Sequence, residues 1–356
     1  VLLSVVITSF NKAGLLVHAV QSVLAQLDGD GRSDHAGSSD AEGTEVVVVD
    51  DGSTDGSPGV LRALLASPPA SAHAKRVRII EQANAGPGAA RNAGVRAASG
   101  QYVLFLDGDD LLLPGALEVI RAAIGGGATG GAGPAVVAGG PLHADHDEGD
   151  PGLRRVVEQA SGGAGGAPVL RGAPTWLDAY AQSGCFLGAG GLCVRREVLL
   201  GAGGFPEHRL NSEDIDTQLR IGNLGPCVVV QRPPVFVYRH ASGSASSGDA
   251  RTLAGWREIA TRYRAGLYAR TAAGEPPSPA LDAVVVSIIA QQTRAHARRL
   301  SRQGDHALAW AMFKVGARFS WRAGARGWVV RYAPGWLWRC LVVRAKRGPT
   351  SPLTPS

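Results

Sequence analysis

Cysteine is scarce in this sequence: there are four among 356 residues, and none stands in a CxxC pair. That spacing excludes a small disulfide-stapled scaffold and a structural metal cluster, so Cys185, Cys193 and Cys227 read as core thiols of a reducing, cytosolic compartment. Long apolar runs are missing too. A membrane-spanning helix needs about 20 apolar residues, and the longest candidate, WVVRYAPGWLWRCLVV, is interrupted by Arg331, Pro334 and Arg339. The stretch VLLSVVITSF lacks a basic leader and a small-residue cleavage site, and reads as a strand rather than a secretory signal. No recognisable nucleic-acid module accompanies the basic residues, so nucleic acid is left out of the expected partners.

What is present is enough for a large folded domain with an appendage. The chain is 45% hydrophobic, and its net charge of +6 is unevenly spread. Residues 281–356 hold 13 Lys/Arg against 2 Asp/Glu, a net +11, and the rest holds 23 against 28, a net −5. Two regions with different partners are implied.

Three continuous apolar runs, LLSVVITSF, EVVVVDD and YVLFLDGDD, have the pattern of parallel strands covered on both faces. Helix-like stretches alternate with them, and RVRIIEQ adds a shorter strand, giving the order β-α-β-α-β-α-β of a doubly wound α/β start. Segment 28–43 and the glycine-rich tracts at 125–134 and 161–167 read as loops. Residues 134–157 read as a strand, a turn and a second strand. The acidic tip Asp145, Asp147, Glu148 and Asp150 lacks the spacing of a calcium loop. Further on, GGLCVRREVLL predicts a strand and then a helix, NSEDIDTQLRIG a helix capped by Asn211 or Ser212, and CVVVQRPPVFVYRH one last strand. From Leu253 the sequence is helical in pattern, hinged at Pro276, Pro277 and Pro279 and broken near Gly304.

Each long strand ends in polar residues: Thr8, Ser9 and Asn11, then Asp50, Asp51 and Ser53, then Asp107, Asp109 and Asp110. Ligands of open parallel sheets bind at the carboxyl ends of the strands, so these groups face a site. Three clustered carboxylates repel one another unless a cation lies among them, and an oxygen-rich cluster suits Mg²⁺ or Mn²⁺ with a diphosphate. An acidic first turn of the helix after Pro114 accounts for one aspartate of the three. In NAGPGAARNAG, glycines open a helix N-terminus to a ligand and Arg91 lies one turn in, able to pair with a carboxylate or phosphate. Gly86, Gly88 and Asp107 imitate a dinucleotide fingerprint, but Arg91 stands in place of its third glycine, which ranks a nicotinamide-dependent oxidoreductase low.

TSFN, DDGS, GPGAARN, FLDGDD, GGLCVRREVLLGAGGFPE and SEDIDTQLRIG occur in the order and spacing of family 2 glycosyltransferases of the GT-A fold, and the sequence resembles that family over about its first 245 residues. The resemblance implies an α/β fold with a mostly parallel central sheet. It implies an inverting transferase that moves a sugar from a nucleotide diphosphate sugar, a UDP-sugar by family habit, to the hydroxyl of a carbohydrate or glycolipid acceptor in cell-surface polysaccharide or glycoconjugate synthesis. Residue by residue, Thr8, Phe10 and Asp51 match positions that hold the nucleoside, with Phe10 in place of the usual Tyr. Arg91 matches a position near base and phosphates. Asp107, Asp109 and Asp110 match the metal-binding triad, with the ion held directly by Asp109 or Asp110. Asp214 matches the catalytic base, with Glu213 beside it to orient the acceptor or cap its helix. His240 lies where relatives carry basic or metal-contacting residues.

The expected organisation is a catalytic domain over 1–250, divided into a nucleotide-binding half (1–124) and an acceptor-binding half (125–250), followed by a basic helical region over 251–356. In that last region Arg294, Arg298 and Arg302 recur at helical spacing, and Trp321, Trp328, Trp336 and Trp338 are interleaved with basic residues. These features fit either a packed helical hairpin or peripheral contact with anionic lipid at the inner face of the membrane of a cytoplasmic protein. A noncatalytic sugar-nucleotide or polysaccharide-binding protein is the alternative from another class.

Overall fold

Both faces of the first strand are buried in the computed structural model, as its unbroken apolar sequence requires. The structure describes residues 3–27, 43–126, 133–144, 167–183, 188–208, 210–239 and 249–322. The first four strands are β1 (Leu3–Ser9), β2 (Thr44–Asp50), β3 (Val77–Glu81) and β4 (Tyr102–Asp107). They alternate with helices α1 (Ala13–Leu24), α2 (Ser57–Ala66) and α3 (Pro87–Ala97). All four pair in parallel, in the spatial order β3-β2-β1-β4. Strand order therefore reverses direction between β1 and β4, and a crevice opens there at the carboxyl edge. Leu3, Val5 and Ile7 of β1 pack with Leu16, Val20 and Val23 of α1 in the main core.

Beyond Asp107 come the two-residue strand β5 (Leu111–Leu112) and α4 (Ala116–Gly125), then β6 (Val136–Gly139), β7 (Pro141–Ala144) and β8 (Val169–Ala173). They are followed by α5 (Trp176–Ser183), β9 (Leu192–Arg195), α6 (Arg196–Gly201), α7 (Glu213–Ile221), β10 (Cys227–Arg232) and β11 (Phe236–Arg239). The large sheet runs β3-β2-β1-β4-β9-β6-β10-β8, with β9 antiparallel to both its neighbours, and a small sheet runs β5-β11-β7. This is a mixed α/β fold with a mostly parallel central sheet.

Two predicted strands are each divided between the sheets. The strand expected from residue 134 breaks at Gly140, so that β6 joins the large sheet and β7 the small one. The last strand expected from Cys227 breaks at Pro233 and Pro234, which have no N–H to give to a ladder, and resumes as β11 beside β5 and β7. Of the two caps expected for α7, Ser212 occupies the N-cap position with φ +77°, and its side chain makes no capping hydrogen bond. The acidic tip at 145–150, the second strand expected after it, Cys185 and His240 lie outside the described residues. Cys193 and Cys227 are buried free thiols.

By its contacts the chain separates into two units, one of residues 1–245 with 269–276 and the other of 246–268 with 277–356. The second unit consists of helices α8 (Asp249–Arg264), α9 (Pro279–Arg302) and α10 (His306–Arg322). The start of α9 is written in the sequence: Ser278 caps it, its hydroxyl accepting the Leu281 N–H at 3.3 Å, and Pro279 occupies the first turn. Trp256 is fully buried, Arg299 pairs with Asp249 at 2.5 Å, and Gly316 leaves room for the buried Thr293 hydroxyl. Among the described residues no helix is long and apolar enough to cross a membrane. Trp328, Trp336 and Trp338 lie outside those residues.

Candidate active site at the carboxyl edge of the sheet

Register alone brings the first two site residues together: Thr8 of β1 pairs with Asp107 of β4, and the Thr8 hydroxyl hydrogen-bonds the Asp107 carboxylate. After Ser9 the chain turns through Phe10 and Asn11, and the segment following β2 fixes this turn. Asn11 N–H donates to Ser53 Oγ at 2.8 Å, Thr54 N–H donates to Asn11 Oδ1 at 2.8 Å, and Ala13 N–H donates to Asp55 Oδ2 at 2.8 Å. Phe10 is left 44% exposed, an aromatic face at the crevice on which a nucleobase can stack.

Asp51 is nearly inaccessible and organises the neighbouring loop. Its Oδ1 accepts from Gln82 Nε2 (2.7 Å) and Ala85 N–H (2.8 Å), and its Oδ2 accepts from Gly86 N–H at 2.8 Å. Gly52 beside it has φ +79°, and a Cβ there would stand 2.7 Å from the Asn84 nitrogen, so the turn admits no side chain. The DDGS segment thus shapes both loops that border the crevice.

Among the described residues, three cations lie among the acids. Arg91, on the first turns of α3, is 5% exposed and donates through one nitrogen to Asp107 Oδ1 at 2.8 Å and through another to Glu213 Oε1 at 2.6 Å. It ties the end of β4 to the start of α7. Lys12 is ion-paired with Asp109. Arg239, the last residue of β11, donates its backbone N–H to Asp110 Oδ1 at 3.0 Å and its side chain to the Asp109 carbonyl. Lys12 and Arg239 were not among the predicted site residues. Proximity to TSFN was a signal for Lys12, whereas Arg239 depends on the second sheet.

These contacts separate the acids electrostatically. Burial alone would raise Asp107, but Arg91, together with Lys12 and the Thr8 hydroxyl, holds it below the usual carboxylate range. Asp110 is raised well above that range by burial and by the charges of Asp107 and Asp109, and its Oδ2 is buried without a hydrogen-bond partner. Asp214 is pushed up to about 7, by burial first and by Glu213 next, against the opposing pull of Arg91. One of its oxygens accepts the Ile215 N–H at 2.8 Å.

A loop at 203–207 holds Arg91 in this position. The Asn92 amide donates to the Phe205 carbonyl at 2.8 Å and accepts the Phe205 N–H at 2.8 Å, and Arg220 of α7 donates to the Gly204 carbonyl at 2.7 Å. The Phe205 ring then lies edge-on to Phe105 at 5.0 Å and under the Arg91 guanidinium at 5.5 Å. GAARN and GGFPE, distant in sequence, form one clamp.

A hard divalent ion fits the chemistry of the donors at the end of β4, which are carboxylate oxygens. Among the described residues, however, no three His, Cys, Asp or Glu side chains converge as a ready ligand set. The Lys12 ammonium on Asp109 shows that this carboxylate takes a cation, and Asp109 and Asp110, whose Oδ2 is buried without a partner, are the residues that could hold the ion.

In comparison with known proteins, the glycosyl transferase family 2 model matches residues 4–143. Over those residues this chain is similar to family 2 glycosyltransferases. An uncharacterized glycosyltransferase of Nostoc sp. is 34% identical to it over 197 residues, 55% of this chain and 52% of that protein. Succinoglycan biosynthesis protein ExoO of Rhizobium meliloti is 38% identical over 114 residues, 32% of this chain and 27% of that protein. The chain thus spans about half of the first of these curated relatives and about a quarter of the second. Two solved structures share the glycosyltransferase fold. Residues 1–349 of S. aureus TarS, in complex with UDP, superpose with a TM-score of 0.53 at 16% identity, covering 91% of this chain and 92% of that one. The mannosyltransferase PcManGT from Pyrobaculum calidifontis, in complex with GDP-Man and Mn²⁺, gives 0.54 at 18% identity, covering 98% and 88%.

Proposed function

We propose that this glycosyltransferase moves a sugar from a nucleotide diphosphate sugar, with a UDP-sugar as the donor, to an acceptor hydroxyl with inversion at the anomeric carbon, in the synthesis of a polysaccharide or glycoconjugate. The observation that carries the reading is Asp214: a carboxylate raised to about 7 at the start of α7, linked through Glu213 and Arg91 to the strand end that would receive the diphosphate. A base with that pKa is half ionised near neutrality, where it can accept a proton and still drive the transfer. Residues 1–250 form the catalytic domain in this reading, with donor binding in 1–124 and acceptor binding in 125–250.

Phe10 stacks on the nucleobase and Thr8 lies at the floor of the crevice. Asp51 Oδ2, with one backbone donor on it, keeps room to accept from a nucleobase N–H or a ribose hydroxyl. Arg91 keeps Asp107 ionised and holds Glu213 in place beside Asp214. Asp214 takes the acceptor proton as the hydroxyl oxygen bonds to the anomeric carbon. The bond from that carbon to the donor's phosphate oxygen breaks on the opposite face, and the nucleoside diphosphate leaves with that electron pair. A bound Mg²⁺ or Mn²⁺, held by Asp109, would stabilise the negative charge of the departing diphosphate.

The test is Asp214→Asn, which keeps size and removes proton acceptance. Transfer is expected to fall by about 10²-fold or more while donor affinity stays within about 2-fold. Near-normal transfer would remove Asp214 from the mechanism. A wild-type protein that binds UDP-sugars but transfers and hydrolyses none across a panel of donors would instead be a binding protein.

A further inference from the structure

The chain supplies its own ammonium to the crowded end of β4. Lys12 is ion-paired with Asp109, the middle carboxylate of Asp107, Asp109 and Asp110. The other two cations at this edge are fixed. Arg91 is buried between two carboxylates, and Arg239 is bound through its backbone N–H and its side chain. Lys12 differs from both. Its backbone belongs to the turn held by Ser53 and Asp55, while its side chain is 25% exposed and reaches Asp109 along a flexible four-carbon stem.

We propose that Lys12 is a displaceable counter-ion: it occupies Asp109 in the empty site, competes there with the divalent ion, and on displacement turns to the diphosphate oxygens of the arriving donor. The proposal rests on the metal and diphosphate reading of this same site. Its physical basis is charge neutrality. Arg91 holds Asp107, so in the empty site Lys12 is what balances Asp109, and a metal alone must break the Lys12–Asp109 pair and leave the ammonium beside it. A diphosphate gives that ammonium a new partner. Metal and nucleotide should therefore strengthen each other's binding by the same factor, with Lys12 as the element that couples them.

The experiment measures Mn²⁺ affinity by electron paramagnetic resonance on the full chain, alone and with UDP or GDP, for wild type, Lys12→Met and Lys12→Arg, with melting temperatures taken alongside. Wild type is expected to bind Mn²⁺ weakly alone and more tightly with nucleotide. Lys12→Met should bind Mn²⁺ alone about 10-fold or more tightly than wild type, with a smaller gain from nucleotide. Lys12→Arg, which keeps the charge, should resemble wild type. If Lys12→Met binds Mn²⁺ alone no more tightly than a wild type that does bind it with nucleotide, Lys12 is not the competitor and the proposal is overturned while the metal reading stands. If wild type binds no Mn²⁺ even with nucleotide present, both fall together.

Discussion

Asp107 and Asp214 are the same chemical group on either side of one guanidinium, and their environments drive them in opposite directions. At the end of β4, Asp107 receives Arg91 directly, with Lys12 and the Thr8 hydroxyl in support, and stays charged. At the start of α7, Asp214 stands behind Glu213, which takes the other arm of Arg91, and its proton is retained up to about 7. The difference shows how one cation assigns two roles. The carboxylate it touches becomes a permanent anion suited to cations and phosphates, and the one where burial and the Glu213 charge outweigh its pull becomes a base that titrates in the working range.

Removing the guanidinium should have the largest effect. Arg91→Met leaves Asp107 and Glu213 without their buried partner, and the loss of one member of such a network costs about 3–5 kcal/mol. A large fall in melting temperature is expected, with the nucleotide affinity of the remaining folded protein reduced as well. Thermal unfolding with and without UDP measures both. An unchanged melting temperature would show that the two carboxylates are neutral or solvated in the absence of Arg91.

With Asp214 as the base, transfer at saturating donor should fall about tenfold per pH unit below about 7, and level off above it. Glu213→Gln removes the like charge beside Asp214 and should move that limb to lower pH. A rate profile flat from pH 5 to 8 would exclude Asp214 as the titrating group.

How much of this was legible in the sequence follows from how local each cause is. The strands β1, β2 and β4 were readable because each is a continuous apolar run, and their polar ends pointed to one sheet edge. The placement of Arg91 one turn into α3 was readable for the same reason, since Gly86 and Pro87 mark the helix start. Its second partner, Glu213, was not, because that contact depends on the Asn92 clamp on Phe205 and the Arg220 contact to Gly204. Arg239 escaped notice because Pro233 and Pro234 were read as lying within one strand, whereas they divide it and send β11 to a second sheet beneath Asp109 and Asp110. Asp51 was expected to face a nucleoside. That the Ala85 and Gly86 amides also bind its carboxylate arises from a loop conformation that composition does not encode.

The smallest expected effect is on stability, and it separates the two carboxylates by sign. Asp214 holds its proton more tightly in the folded protein than in the unfolded chain, where an aspartate titrates near 3.8. Between that value and about 7 the folded state therefore binds more protons, and this residue's contribution to stability declines as pH rises through the window. Asp107 acts oppositely: its folded value is depressed, so its contribution is present above the ordinary aspartate range and lost as pH falls below it. Asp214→Asn removes the first titration only. Relative to wild type its melting temperature should rise between pH 5 and pH 8, by a few degrees at most, whereas Asp107→Asn should lower the melting temperature at both pH values. If Asp214→Asn keeps the same offset from wild type across that range, Asp214 titrates in the folded protein as it does in the unfolded chain, and Arg91 does not divide the two carboxylates between charge and proton transfer.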